Sequence, residues 1–188
     1  VQCGAAYGKA SRMLGLIGRT ICSRDPDVMV RLYKSLVRSH LEYCTAAWSP
    51  HYVKDKELLE KVQHRFTRMI PGMKELEYGE RLRRLGLMTL EERRHRADLV
   101  ELFRISRGLS AIPFKDFFEL NIDGRTRGHE YKLKKPGFVT DLRKHFFSQR
   151  VINRWNELED WVVNSGTVDS FKNNLRRYRM RKMDLLAD

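Results

Sequence analysis

Cysteine is scarce and poorly placed for cross-linking. Cys3, Cys22 and Cys44 are odd in number and widely spaced, which supports neither a disulfide framework nor a Cys-x-x-Cys metal knuckle. A reducing compartment, nuclear or cytoplasmic, is the expectation. Five Pro and twelve Gly are scattered along the chain, and no internal repeat or low-complexity tract is present, so the composition is that of a globular protein rather than a disordered one. No apolar run approaches the roughly 18 to 20 residues that a membrane-spanning helix needs. The first residue is Val rather than Met and no signal-peptide pattern follows it, so the chain is expected to be a piece of a longer one.

Catalytic signatures are missing as well. There is no Gly-x-Ser-x-Gly elbow, no Gly-x-x-x-x-Gly-Lys phosphate loop and no Gly-x-Gly-x-x-Gly fingerprint. His40, His51, His64, His95, His129 and His145 never take the spacing of a zinc helix or stand beside a cysteine pair. Glu57, Glu60, Glu91, Glu92, Glu157, Glu159 and Asp160 lie among Lys and Arg, as surface i,i+4 pairs do. The residues give no support for self-contained catalysis or for a cofactor, and no metal site is expected.

What the chain has in excess is positive charge. Its 188 residues carry 37 Lys and Arg against 24 Asp and Glu, a net charge of +13, and the pI is near 9.9. Such a field attracts polyanions, nucleic acid first and anionic membrane second. With 41% hydrophobic residues the chain is long enough to bury a proper core.

Periodicity predicts a mainly α protein, a helical bundle that allows one short β-hairpin in the region 125–140. Met13, Leu14, Ile17 and Ile21 take helical spacing within 5–21, although Gly15 and Gly18 weaken that segment. Asp25 and Pro26 form an N-cap and first-turn pair for a second helix. Its stripe runs Val28, Leu32, Tyr33, Leu36, Val37, His40, Leu41 and Cys44, with an end expected near Trp48 because Pro50 disfavours helix before it. Val53 to Ile70 repeats the pattern with Leu58, Leu59, Val62, Phe66 and Met69 and stops at Pro71–Gly72. These two segments read as a helical hairpin turning at 49–52, with its Lys and Arg on the outer faces.

A short helix is expected at 78–85. Thr89 and Glu92 then make a capping box for a helix over about 90–107, ended by Gly108, which buries Leu90, Ala97, Val100 and Phe103 and turns Arg93, Arg94, Arg96 and Arg104 outward. Pro and Gly mark a connection at 111–140, with a strand-like piece near 129–135. Beyond it, Leu142, Phe146, Val151, Trp155 and Leu158, then Phe171, Leu175 and Tyr178, return to helical spacing.

The basic residues cluster. Arg125, Arg127, Lys132, Lys134, Lys135, Arg143, Lys144, Arg150 and Arg154 face only Glu130 and Asp141 in the same span. Interleaved aromatics such as Phe146 and Trp155 suit base stacking or, more ordinarily, a core. A second cluster, Arg176, Arg177 and Arg179 with Arg181 and Lys182, follows the last amphipathic stretch.

The succession "LYKSLVRSHLEYCTAAWSP", "LEKVQHRFTRMI", "YGERLRRLGLMTLEERRHRADLVELFRISRG", "RGHEYKLKK", "RKHFFSQRVINRWNELEDWVV" and "SFKNNL" resembles the C-terminal region of reverse transcriptases from jockey-like non-LTR retrotransposons, the LINE elements. The resemblance covers about Met29 to Leu175. It implies a helical thumb-like and connecting region over 1–110, a connection over 111–140 that includes any hairpin, and basic C-terminal helices over 141–188. It further implies RNA or DNA partners held through phosphate, and an upstream polymerase domain in the same polypeptide. The family's magnesium ions sit on an aromatic-Ala-Asp-Asp turn of the palm, and this chain has no such motif. The expected function is therefore non-catalytic gripping of RNA template or target DNA, with a protein-interaction module or host-adopted remnant without polymerase activity as the alternative.

Overall fold

The computed structural model describes residues 2–121, 128–137 and 139–184. It is mainly helical, as the periodicity predicts. Two compact units divide it, Val1–Arg94 and His95–Asp188. The division falls inside one helix rather than at the change of composition near residue 111.

In the first unit α1 (Gln2–Thr20) buries Ala6, Ala10, Leu14 and Ile17. Gly18 does not break it: a Cβ there would sit 3.1 Å from the Met69 side chain, so the small residue allows close approach of the neighbouring segment. Asp25 caps α2 (Pro26–Leu32) by accepting from the Val28 N–H at 3.0 Å, with Pro26 in the first turn.

The helix continues through a π segment, Tyr33–Val37, into α3 (Arg38–Glu42), and here the expected stripe is corrected. Tyr33, Val37 and Leu41 are fully buried, whereas Val28 and Leu36 are exposed. Side chains four apart drift around a regular 3.6-residue helix; the wider π turn, with Arg38 N–H reaching Tyr33 O, holds them on one face.

The expected end near Trp48 is also corrected. Helix stops at Glu42, and Cys44 adopts a left-handed φ of 54°. Cys44 is exposed rather than packed. The turn that follows is tied by the Trp48 indole N–H donating to Tyr43 O at 2.6 Å.

α4 (Val53–Arg68) buries Leu59, Val62, Gln63, Phe66 and Thr67 and packs against α1. It also meets the π segment, because Tyr33 stacks on Phe66 at 4.1 Å. Gly72, at φ 73°, turns the chain after it. α5 (Tyr78–Arg84) follows.

The capping box opens α6 (Leu90–Ser106): Thr89 N–H donates to Glu92, and Glu92 N–H donates to the Thr89 hydroxyl at 3.2 Å. Gly108, with φ 65°, follows its end. Two expectations for its faces fail. Ala97 is exposed, and Arg94, expected to point outward, is only 2% exposed.

The second unit centres on Phe103, Val151, Trp155, Val162 and Phe171, all buried. Phe103 stacks on Phe171 at 4.3 Å, and Trp155 lies 6.0 Å from the same ring. A short helix α7 (Phe114–Phe117) precedes the connection. No strand forms among the described residues. Leu120 and Leu133 make an isolated antiparallel bridge, so the short hairpin that the sequence allows within 125–140 is not seen among the described residues; 125–127 and 138 lie outside them.

The helical stretch read from Leu142 to Leu158 is a string of short helices. These are α8 (Asp141–His145), α9 (Phe147–Arg150), α10 (Ile152–Asn156) and α11 (Asp160–Val163), before the long α12 (Val168–Asp184). Phe146, with ψ of 150°, breaks the first junction and stands 41% exposed. Among the described residues no helix is long and apolar enough to cross a membrane.

Candidate nucleic-acid interface

The basic segment of the second unit is held in place by its backbone. Asn156 of α10 brackets Leu133, accepting from its N–H at 2.9 Å and donating to its carbonyl at 2.8 Å. The Trp155 indole donates to Tyr131 O at 2.8 Å, and His129 Nε2 lies 3.0 Å from Trp155 O. These bonds dock 129–133 on α10 and leave the lysine stems after them outside.

Lys134 and Lys135 are exposed. Lys134 pairs with Glu119 at 3.1 Å between two exposed side chains, an interaction of little strength in water. Lys135 donates to Asn153 Oδ1 at 3.0 Å. Arg154 is exposed on the same helix as Asn153, with a bond to Arg150 O at 3.3 Å. Lys135 and Arg154 therefore flank one short stretch of α10.

Arg143 and Lys144 are exposed on α8, capped by the Thr140 hydroxyl. The Arg143 guanidinium sits 5.7 Å from the ring centre of Phe146, and Phe146 stacks at 6.3 Å on Phe117. An accessible ring beside a cation can receive an unpaired base.

Arg150 is placed differently from its neighbours in sequence. Its Nε and Nη2 both reach the Asp98 carboxylate at 2.8 Å, and its Nη1 donates to His145 O. Asp98 is only 2% exposed. This bidentate pair fastens α9 to α6, so the charge of Arg150 is balanced inside the unit. On α12, Arg176 and Arg177 are exposed and Arg179 is half-buried. Lys132 is half-buried. Arg125 and Arg127 lie outside the described residues.

The burial of His129 depresses its pKa below the ordinary imidazole value, chiefly by desolvation. Its Nε2 faces a carbonyl oxygen and so carries a proton there. Tyr131 is covered by Arg107, 4.4 Å from its ring centre. Trp155 is core, so neither it nor His129 offers a free face.

A row of cations outside both sequence clusters stands on α4 in the first unit. Lys61, His64, Arg65, Arg68 and Met69 line an open depression of about 540 Å³. The spacing i, i+3, i+4, i+7 is the sequence signal for it. That signal is weak, because charge on an outer helix face is ordinarily just solvated.

Beneath α4 lies a buried polar network. Tyr33 donates to Gln63 Oε1 at 2.8 Å, and the Gln63 amide donates to Glu60, Tyr78 and Met88 O. Glu60 also accepts from Tyr78 and from Leu90 N–H. Burial pushes the Glu60 carboxyl and both phenols above their ordinary values. The network joins the π segment, α4, α5 and the start of α6, which is a structural task.

No protein-family model, curated protein or solved structure matches the chain. Among the described residues no group of three or more His, Cys, Asp or Glu could hold a metal ion. The sequence has no Asp-Asp pair of the kind that holds metal ions in a polymerase palm, so the residues present do not fit those ions.

Proposed function

We propose that this chain is a nucleic-acid-binding, non-catalytic C-terminal region of a LINE-type reverse transcriptase, gripping RNA template or target DNA through the phosphate backbone. The reading is supported by the ordered sequence blocks that resemble this family. The observation that carries it is the set of exposed cations Lys134, Lys135, Arg143, Lys144, Arg154, Arg176 and Arg177 in one unit. Backbone phosphate is the chemistry such cations recognise without regard to sequence. Phe146 with Arg143 adds a place for a base at a strand end or junction.

In this reading Lys132, Lys134, Lys135, Arg143, Lys144 and Arg154 touch phosphate, as do Arg125, Arg127, Arg176, Arg177 and Arg179. Arg150 positions α9 through Asp98. The upstream polymerase domain of the same polypeptide would supply chemistry. Nuclear or cytoplasmic residence follows from that role. The test is equilibrium binding of the chain to an RNA–DNA hybrid duplex over a range of salt. The expected result is affinity that falls linearly in log–log form; a flat salt response overturns it.

A second reading, a protein-interaction module, draws on the exposed apolar side chains Leu109, Ile112, Leu120 and Phe146. Recovery of a protein partner after nuclease treatment, together with no duplex binding, would favour it.

A further inference from the structure

Within the first unit, acidic partners are unevenly shared. Arg38 and Arg93 lie against Glu42, Lys56 against Glu91, and Arg83 and Arg84 against Glu80. Lys61, Arg65 and Arg68 have no ion-pair partner among the described residues, and all three are exposed. They stand on one helix face, with Lys61 and Arg68 about 10 Å apart along the axis at ~1.5 Å per residue.

A fourth positive charge lies behind them. Arg81 is only 3% exposed. Its Nη1 donates to the Thr67 hydroxyl at 3.0 Å and to His64 O at 3.3 Å, both on α4. Its Nε has no hydrogen-bond partner, and no carboxylate is within ion-pair range among the described residues. A buried cation without a counter-charge raises the potential over the adjacent surface. His64 stacks on Tyr78 at 3.5 Å. Burial, then the charges of Arg81 and Arg68, holds its pKa below the ordinary value.

We infer that the α4 row Lys61, Arg65 and Arg68, with His64 and Met69 lining its depression and Arg81 behind it, is a second nucleic-acid-binding surface that takes successive phosphates of one strand. The inference rests on the nucleic-acid reading above and adds a surface in the other unit. A single strand advances about 3.4 Å per phosphate along the duplex axis, so the row reaches two or three of them. A membrane surface fits less well, since an interfacial helix sinks an apolar face into lipid and the large apolar side chain exposed on α4, Val53, stands at its first position, two turns before Lys61.

The experiment uses the whole chain, a fluorescent RNA–DNA hybrid duplex and the triple variant Lys61→Ala, Arg65→Ala, Arg68→Ala, with Arg65→Glu as a milder second variant. Circular dichroism checks that both fold. Expected are a salt slope shallower by about 2 to 3 for the triple variant, at least tenfold weaker binding at low salt, and His64 ring resonances that move when duplex is added to the unaltered chain. Duplex binding by the unaltered chain, with the slope and the His64 resonances both unmoved, overturns this surface and leaves the proposed function standing. No duplex binding by the unaltered chain overturns both. Loss of binding to phosphatidylserine vesicles in the triple variant, with duplex binding intact, overturns it in favour of a lipid surface.

Discussion

Buried arginine is managed in opposite ways in the two units. In His95–Asp188, Arg150 meets Asp98 in a bidentate pair at 2.8 Å, with both side chains largely out of water. In Val1–Arg94, Arg81 and Arg94 are at least as buried, yet neither forms an ion pair among the described residues. Arg81 uses neutral oxygens, and the two terminal nitrogens of Arg94 have no hydrogen-bond partner. Glu60 and Glu91 act on Arg94 only through the electric field. The same residue type is thus directly paired in one unit and left without a counter-charge in contact in the other. A count of Lys and Arg along a sequence cannot tell these states apart.

The largest expected effect tests the paired side. Asp98→Ala strands a buried guanidinium and should cost about 3 to 5 kcal/mol in urea unfolding. The double change Asp98→Leu with Arg150→Met should recover most of it. Arg81→Met, by contrast, removes a charge that has no buried partner and should cost less than about 1 kcal/mol. Equal losses from Asp98→Ala and Arg81→Met would abolish the contrast.

The next effect concerns Leu41 and Cys44, which share one apolar stripe in the sequence and part ways in the fold. Leu41→Ala should destabilise by about 2 to 5 kcal/mol, because Leu41 is fully buried. Cys44→Gly should leave stability unchanged or raise it by up to about 1 kcal/mol, since glycine escapes the penalty of a left-handed φ. Thermal unfolding of the two variants separates packing from backbone strain.

A smaller effect is a pH dependence. His129 and His64 both have folded-state pKa values below the ordinary imidazole value of 6.5. The unfolded chain therefore binds protons more readily, and their contribution is complete above the unfolded pKa. It is lost as pH falls from about 6.5 toward the folded values. Between about pH 7.5 and 5 the unfolding midpoint of the unaltered chain should fall more steeply, or rise less, than that of His129→Ala. An unaltered slope in that variant would show that His129 titrates equally in both states.

Legibility in the sequence follows the range of the interaction. The Asp25 cap, the Thr89–Glu92 capping box, the Gly72 and Gly108 stops and the mainly α class are local, and each is readable from residues within a turn of one another. The π segment is not: intervals of four among Tyr33, Val37 and Leu41 fit a regular helix poorly, and only packing against α1 and Phe66 favours the wider turn. The Arg150–Asp98 pair is hidden for a similar reason, its members being 52 residues apart. Of the candidate interface, the clusters around residues 132–154 and 176–179 are visible as charge density alone. That density lacks the folded-state distances that separate Arg150 from Arg154, or that put Arg81 under the α4 row.

The most direct measurement is the slope of log affinity against log salt for the whole chain on an RNA–DNA hybrid duplex, between about 50 and 200 mM, compared with the triple variant Lys132→Ala, Lys134→Ala, Lys135→Ala. Nucleic-acid gripping through backbone phosphate predicts a steep negative slope that becomes shallower by about one for each phosphate no longer neutralised, with the variant still folded. A slope near zero, or one identical in the unaltered chain and the variant, would contradict it.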